Sequence, residues 1–197
     1  TLILISHKSR NKIIKILKNL KLFRNIIIVE NSNDKSLKKI KKNKYVKIFF
    51  TKNNGYGAAI NFANKYVRTK YFLVMNPDIE KIDYNLIRRL TKEADKINTN
   101  FLCAGPRYLG VSSKTHKQSN VLNKIAKINA INGACMLFNK INFDNLKGFD
   151  EKFFLFFEEN DICIRDNKNG FFSYQLNSVK IKHDPGNSVE YISNNEK

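Results

Sequence analysis

Tryptophan is absent from this sequence, and cysteine, proline and acidic residues are scarce, with 3 Cys, 3 Pro and 17 Asp plus Glu among 197 residues. Cys103, Cys135 and Cys163 stand far apart in apolar stretches, odd in number and without C-x-x-C spacing, which argues against a disulfide framework and against a structural zinc site. Buried free thiols are expected instead. No run approaches the ~18 apolar residues of a membrane span, and no charged start followed by an apolar run and a cleavage site marks a secretory leader. A soluble, cytoplasmic protein follows as the expectation. The sequence opens at Thr1 without Met and closes in a polar run at Lys197, so truncation, above all of the C-terminus, is expected too.

What is present fits one domain of ordinary size, with 42% hydrophobic residues and 15 Phe and 8 Tyr as bulky core material. The 36 Lys and Arg outnumber the acids to leave a net charge of +19. Such a charge raises nucleic acid, an anionic membrane or a phosphorylated substrate as partners. The basic residues are mostly Lys and spread along the chain, as a solvated surface would have them, and the reading that follows expects no nucleic-acid partner.

Short apolar runs at Leu2 to Ile5, Ile26 to Val29, Tyr45 to Phe50 and Tyr71 to Met75 alternate with helical stretches at Asn11 to Leu22, Lys35 to Lys42, Gly57 to Val67 and Tyr84 to Ile97. That rhythm predicts an α/β domain with a mostly parallel central sheet flanked by helices. Strands are also expected at Phe101 to Tyr108, Asn129 to Phe138, Phe171 to Gln175 and Val179 to Lys182, with a polar loop from Ser112 to Asn120 and a helix from Glu158 to Asn169. Parallel sheets bind ligands beyond the carboxyl ends of their strands, which here carry Ser6, Glu30 and Asn31, the glycine segment from Asn53, and Asn76-Pro77-Asp78.

Asp78 offers a carboxylate just past an apolar strand, a hard oxygen ligand for Mg²⁺ or Mn²⁺ shared with phosphate oxygens; an ordinary turn or helix cap would read the same way. Asn54, Gly55, Gly57 and Asn61 join a strand to a helix, either for close approach to a ligand or for tight helix packing. Glu158 and Glu159 follow four closely spaced Phe at a helix start, as a tuned base or as routine capping acids behind an aromatic wall. His183, at a strand end before Asp184-Pro185-Gly186, is either a metal or diphosphate ligand or a polar surface residue.

Taken in order, these segments resemble glycosyltransferase family two, especially its rhamnosyltransferase-like branch, from Leu2 to about Ser188. The resemblance implies a single GT-A type domain over residues 1–197, with a nucleotide-binding part at 1–100 and an acceptor and catalytic part at 101–197. It implies that Glu30, in Glu30-Asn31-Ser32, contacts the donor base, that Asn54 to Asn61 line the nucleoside pocket, and that Asn76 and Pro77 present Asp78 as metal ligand. Gly133 and Ala134 would lie near the donor sugar and acceptor, Glu158-Glu159 would be the catalytic acid pair with Glu159 the base, and His183, with Gly186 and Ser188, would lie near the diphosphate and metal. Two departures stand out: the family usually carries Asp at the base position, and Ser6-His7-Lys8 replaces its more frequent Thr-Tyr-Asn.

The expected activity is inverting, metal-dependent sugar transfer from dTDP-rhamnose or a UDP-sugar to a glycan or lipid-linked saccharide in cell-surface polysaccharide synthesis, with peripheral contact to an anionic membrane. The rival is a non-catalytic basic module binding RNA or anionic membrane. Against it, the aromatics sit in apolar runs rather than interleaved with Lys and Arg.

Overall fold

The computed structural model describes residues 1–40, 43–97, 100–110, 118–121 and 123–183. The first strand, β1 (Leu2–Ser6), is buried at every position, and its alternating side chains enter two different layers. Leu2 and Leu4 pack with the helices α1 (Arg10–Asn19) and α3 (Tyr84–Ala94), while Ile3 and Ile5 pack with α2 (Tyr56–Asn64) and α5 (Glu158–Lys168). Period-two strands and helices on both faces explain why the strands read as continuous apolar runs. In α1, Ile13 and Ile16 face the sheet and the lysines face water. In α3, Leu86, Ile87, Leu90 and Ala94 form the buried stripe, and the Asp83 carboxylate caps its start by accepting from Leu86 N at 2.8 Å.

The remaining strands are β2 (Ile26–Glu30), β3 (Val46–Phe50), β4 (Tyr71–Met75), β5 (Phe101–Tyr108), β6 (Ile125–Ile128), β7 (Cys135–Asn139) and β8 (Phe172–Ile181). They form one eight-stranded sheet in the order β3-β2-β1-β4-β7-β5-β8-β6. The chain runs outward from β1 through β2 and β3, then returns to β1's other side with β4, all in parallel. Strand order therefore reverses between β1 and β4, which opens a crevice at their carboxyl ends. Only β7 and β6 run against their neighbours.

Three sequence expectations are corrected. Of the expected strand from Asn129 to Phe138 only the part from Cys135 is strand, as β7; residues 129–134 form the connection from β6, which ends at Ile128, and the Asn132 side-chain oxygen accepts from Ala134 N at 2.9 Å and so competes with a ladder. Gly133 and Ala134 consequently lie in the turn before β7. The two closing strands are a single β8 whose register against β5 jumps between Pro106 and Arg107, where proline has no N–H to donate. A short helix, α4 (Lys140–Asn145), follows β7, capped by the Asn139 side chain. Of the expected helix at Lys35 to Lys42, residues 35–39 form a 3₁₀ turn and 41–42 lie outside the described residues, as do 112–117 of the expected polar loop.

Isoleucine and leucine fill most of the core, and phenylalanine supplies its largest side chains in place of tryptophan. Phe72, Phe138, Phe143 and Phe149 pack in edge and stacked pairs with centroids 4.9 to 5.7 Å apart, which anchors the loop leading into α5. All three cysteines are buried free thiols, and burial pushes the thiols of Cys103 and Cys135 well up, so they are inert. Among the described residues no helix is long and apolar enough to cross a membrane.

Asp166 on α5 is fully buried, with Ser173 donating to its Oδ2 at 3.1 Å. Burial raises its pKa from 3.8 to about 6, and the Ser173 hydroxyl and the Lys127 charge only partly oppose this. A raised folded-state pKa means that the folded chain binds the proton more tightly than the unfolded one. Stability is thus highest below about pH 4 for this group and falls by roughly 3 kcal/mol as pH rises through about 6. Asp166→Asn keeps an acceptor for Ser173 and removes the charge. The variant should resist urea better than the parent at pH 8 and no better at pH 4; equal gains at both pH values would contradict the assignment.

Candidate active site

Ser6 and Glu30 end the parallel pair β1 and β2 in register, so their side chains project side by side on one face. Glu30 is buried, and its Oε1 accepts from Ser32 N at 2.7 Å and from the Ser32 hydroxyl. Its Oε2 and the Ser6 hydroxyl have no hydrogen-bond partner among the described residues, which leaves an acceptor and a donor for a ligand. Asn31 lies 3.2 Å from His7 Nδ1 through Oδ1 and donates through Nδ2 to Asn53 Oδ1 at 3.1 Å. Asn53 Oδ1 also accepts from Gly55 N, so the strand ends are stitched to the glycine segment.

That segment packs on the chain's own acid loop. Gly55 has φ +104, and a Cβ there would sit 2.4 Å from the Phe154 carbonyl oxygen. A Cβ on Gly57 would lie 2.9 Å from Phe149 Cβ and 3.6 Å from Glu158 Cβ. Asn61 accepts from Phe149 N and donates to Phe149 O, both at 2.9 Å, and so holds the same loop; Asn54 is exposed.

The loop after β4 brings Asp78 to His183, 105 residues away, with Nε2 and Oδ1 3.2 Å apart and each side chain only 10% exposed. A bridge between Ile79 and His183 fixes this approach in the backbone. Residues 184–188, including Gly186 and Ser188, lie outside the described residues. Asn76 N donates to Ala134 O at 2.8 Å, and Pro77 follows. A cavity of about 230 Å³ adjoins Asp78, with Lys12, Lys15 and Pro77 in its lining. A hollow of about 350 Å³ at the other end of the sheet, walled by Phe23, Tyr71 and Tyr84, is not lined by any carboxylate.

Glu158 and Glu159 begin α5 and are buried, whereas Phe154, Leu155, Phe156 and Phe157 ahead of them are 38 to 64% exposed. The expected aromatic wall is thus an outward-facing tip. Phe156 and Phe157 have φ +67 and +70, a left-handed conformation costly for phenylalanine, and this turns the tip out while the acids turn in. Neighbouring helical residues point about 100° apart. Glu158 accordingly faces Gly57, and Glu159 faces Gly133, where a Cβ would lie 3.9 Å from the Glu159 carboxyl carbon. Arg165 secures the arrangement by pairing with Asp161 at 2.8 Å and donating to the carbonyls of Leu146 and Gly148.

Sequence reasoning passes over Tyr56, whose hydroxyl lies 2.9 Å from Asn76 Oδ1 and 3.0 Å from Gly133 O. Its phenol is pushed well above its ordinary pKa, first by burial, then by the Glu158 carboxylate and further by Cys135, Asp78 and Glu159. One phenol therefore senses the loop after β4 and both acids of α5. Only its place between two glycines hints at this.

The fold and the site define an α/β domain with an acidic crevice at a topological switch point. Residues 2–165 match the model of glycosyl transferase family 2, and the chain belongs to that family. Among solved structures it is similar to the mannosyltransferase PcManGT from Pyrobaculum calidifontis in complex with GDP-Man and Mn²⁺, with TM-score 0.76, 11% identity, and 97% of this chain and 58% of that chain covered. It is also similar to residues 1–349 of S. aureus TarS in complex with UDP-GlcNAc, with TM-score 0.70, 16% identity and coverage of 96% and 60%. A third is GalNAc-T7 with UDP, GalNAc and Mn²⁺, with TM-score 0.70, 12% identity and coverage of 92% and 43%. At these identities the likeness is one of fold, and the chain spans only 43 to 60% of those structures. No match is found among curated proteins.

Proposed function

We propose that this chain transfers a sugar, with inversion at the anomeric carbon, from a nucleoside-diphosphate sugar to an acceptor hydroxyl. The observation that carries the reading is that the Tyr56 hydroxyl reaches both Asn76, in the loop that presents Asp78, and the carbonyl of Gly133, the residue that Glu159 faces. Residues 1–100 would hold the nucleotide and residues 101–197 the acceptor side. The base would lie at Ser6 and Glu30, where buried polar valences remain open. Asn31, Asn54, Gly55, Gly57 and Asn61 would border the nucleoside, the first two directly and the last three by fixing the wall behind it.

Asp78 and His183 fit a divalent cation as a carboxylate and imidazole pair brought together in a shielded place, and among the described residues no third His, Cys, Asp or Glu completes a cage. Diphosphate oxygens and water would supply the remaining ligands, which suits Mg²⁺ or Mn²⁺, the imidazole tilting the choice to Mn²⁺. A cation there supplies positive charge that offsets the charge developing on the leaving diphosphate. Glu159 accepts the acceptor hydroxyl proton as that oxygen forms its bond to the anomeric carbon. The bond to the diphosphate breaks on the opposite face, and its electron pair leaves with the diphosphate.

The particular donor we favour is dTDP-rhamnose or a UDP-sugar, with a glycan or lipid-linked saccharide as acceptor in cell-surface polysaccharide synthesis, supported by the motifs of the rhamnosyltransferase-like branch. A peripheral position on an anionic membrane belongs to the same reading, supported by the +19 charge and the exposed Phe154 to Phe157 tip. Vesicle binding that does not distinguish anionic from zwitterionic lipid would contradict that position. Melting curves test the reading against the rival polyanion-binding module. Nucleotide-sugars with Mn²⁺ should raise the melting temperature selectively, and stabilisation by heparin or oligonucleotide alone would favour the rival.

A further inference from the structure

We infer that Tyr56 is a positioning residue that sets the separation between the Asp78 loop and the Glu159 side of the crevice. The inference rests on the reading of Asp78 and Glu159 given above and adds the part that holds them in relation to each other. Tyr56 is the first residue of α2, and it touches three segments at once. Its hydroxyl lies within hydrogen-bond distance of the Asn76 side-chain oxygen, two residues before Asp78, and of the Gly133 carbonyl, in the turn that Glu159 faces. Its backbone N–H donates to Phe154 O at 2.9 Å, in the tip that leads into Glu158 and Glu159.

These segments come from different parts of the chain, and each is a loop or turn that the sheet alone does not clamp. The ladder between β4 and β7 stops at Met75 and Cys135, so Asn76 and Gly133 lie just past its last pair. Beyond that point the Asn76 N–H to Ala134 O bond and the Tyr56 hydroxyl, whose one proton is shared between the Asn76 Oδ1 and Gly133 O acceptors, close the gap. A phenol is well suited to such a brace, because its ring is rigid, its polar group is at the far end, and burial makes loss of its partners costly. The hydroxyl touches no donor atom of the Asp78–His183 pair, so it acts by orienting the loop that presents Asp78. Outer partners of this kind tune metal sites without ligating them.

Tyr56→Phe tests this, because it keeps the ring and the backbone bond and removes only the hydroxyl. The probe is Mn²⁺ alone, titrated into the full chain with the free aquo-ion read by electron paramagnetic resonance. Affinity in Tyr56→Phe should fall by about tenfold or more. Asn142→Ala is the control, since it removes a different buried hydrogen bond, from Asn142 Nδ2 to Phe101 O at 2.7 Å, far along the chain from Asp78. It should lower the unfolding midpoint comparably and leave Mn²⁺ affinity unchanged. Native Mn²⁺ affinity in Tyr56→Phe, or equal weakening in Asn142→Ala, overturns the positioning role. Mn²⁺ binding that Asp78→Asn leaves untouched overturns the metal-ligand reading itself, and this inference with it, so the two failures are told apart.

Discussion

Replacing Glu159 with Gln is expected to lower sugar transfer by about 10² to 10⁴-fold while leaving nucleotide binding in place. Glutamine has the same shape and keeps a hydrogen-bonding head, but it cannot take up the acceptor proton. An alcohol is too weak an acid to ionise beforehand, so the barrier rises by what the base supplied. The variant should be folded, since glutamine matches glutamate in shape and so keeps the packing of this buried side chain against Gly133. Glu158 is the natural comparison: it faces Gly57 and the root of α2, and its replacement should disturb packing more than proton transfer. Product release by Glu159→Gln at near-parental rates would remove it from the base role.

Gly55→Ala is expected to be the most damaging single change to stability, by roughly 3 to 5 kcal/mol. Two independent effects add. The backbone at φ +104 with ψ 168 lies in a region that only glycine adopts without strain. A methyl there would also meet the Phe154 backbone, with the carbonyl oxygen at 2.4 Å and Cα at 2.9 Å, and backbone cannot step aside as a flexible side chain would. For a chain of this size the melting temperature should fall by about 10 °C or more. Because Phe154 O accepts from Tyr56 N, the displaced loop would carry the acid pair with it. Gly110, at φ +73 with no described atom within 4 Å of an added Cβ, is the comparison without a clash: Gly110→Ala should cost only left-handed backbone strain and so much less than Gly55→Ala. Equal melting of the two variants would show that the Phe154 contact is not what constrains Gly55.

The parallel half of the fold is legible in the sequence because β1, β2 and β4 are buried on both faces and read as apolar runs, while the half-buried edge strand β3 keeps enough apolar residues around Lys47 to be read. Tyr71 to Met75 matches its strand to the residue. Legibility fades where side-chain chemistry decides the backbone, as at Asn132, whose Asx turn replaces the first half of an apparent strand, and at Pro106, where the β5 to β8 register shifts. The candidate site residues are chosen by position, mostly at strand ends, and the structure brings Asp78 to His183 and Glu159 to Gly133. Periodicity says nothing of two residues 105 positions apart, and only the resemblance links them. The Phe154 to Phe157 tip misleads because apolar residues are read as buried, whereas left-handed backbone at Phe156 and Phe157 turns them outward. Tyr56 escapes notice because a tyrosine among small helical residues looks like core until its hydroxyl partners are seen.

For transfer to occur, a donor must span the gap from the loop after β4 to the first turn of α5. The most direct test follows nucleoside-diphosphate release from a panel of nucleotide-sugars in Mn²⁺, for the parent chain, Asp78→Asn and Glu159→Gln side by side. The parent should release diphosphate from at least one donor, with both variants strongly impaired and only Glu159→Gln still binding that nucleotide. Release from no donor, or release that survives in Asp78→Asn, would contradict it.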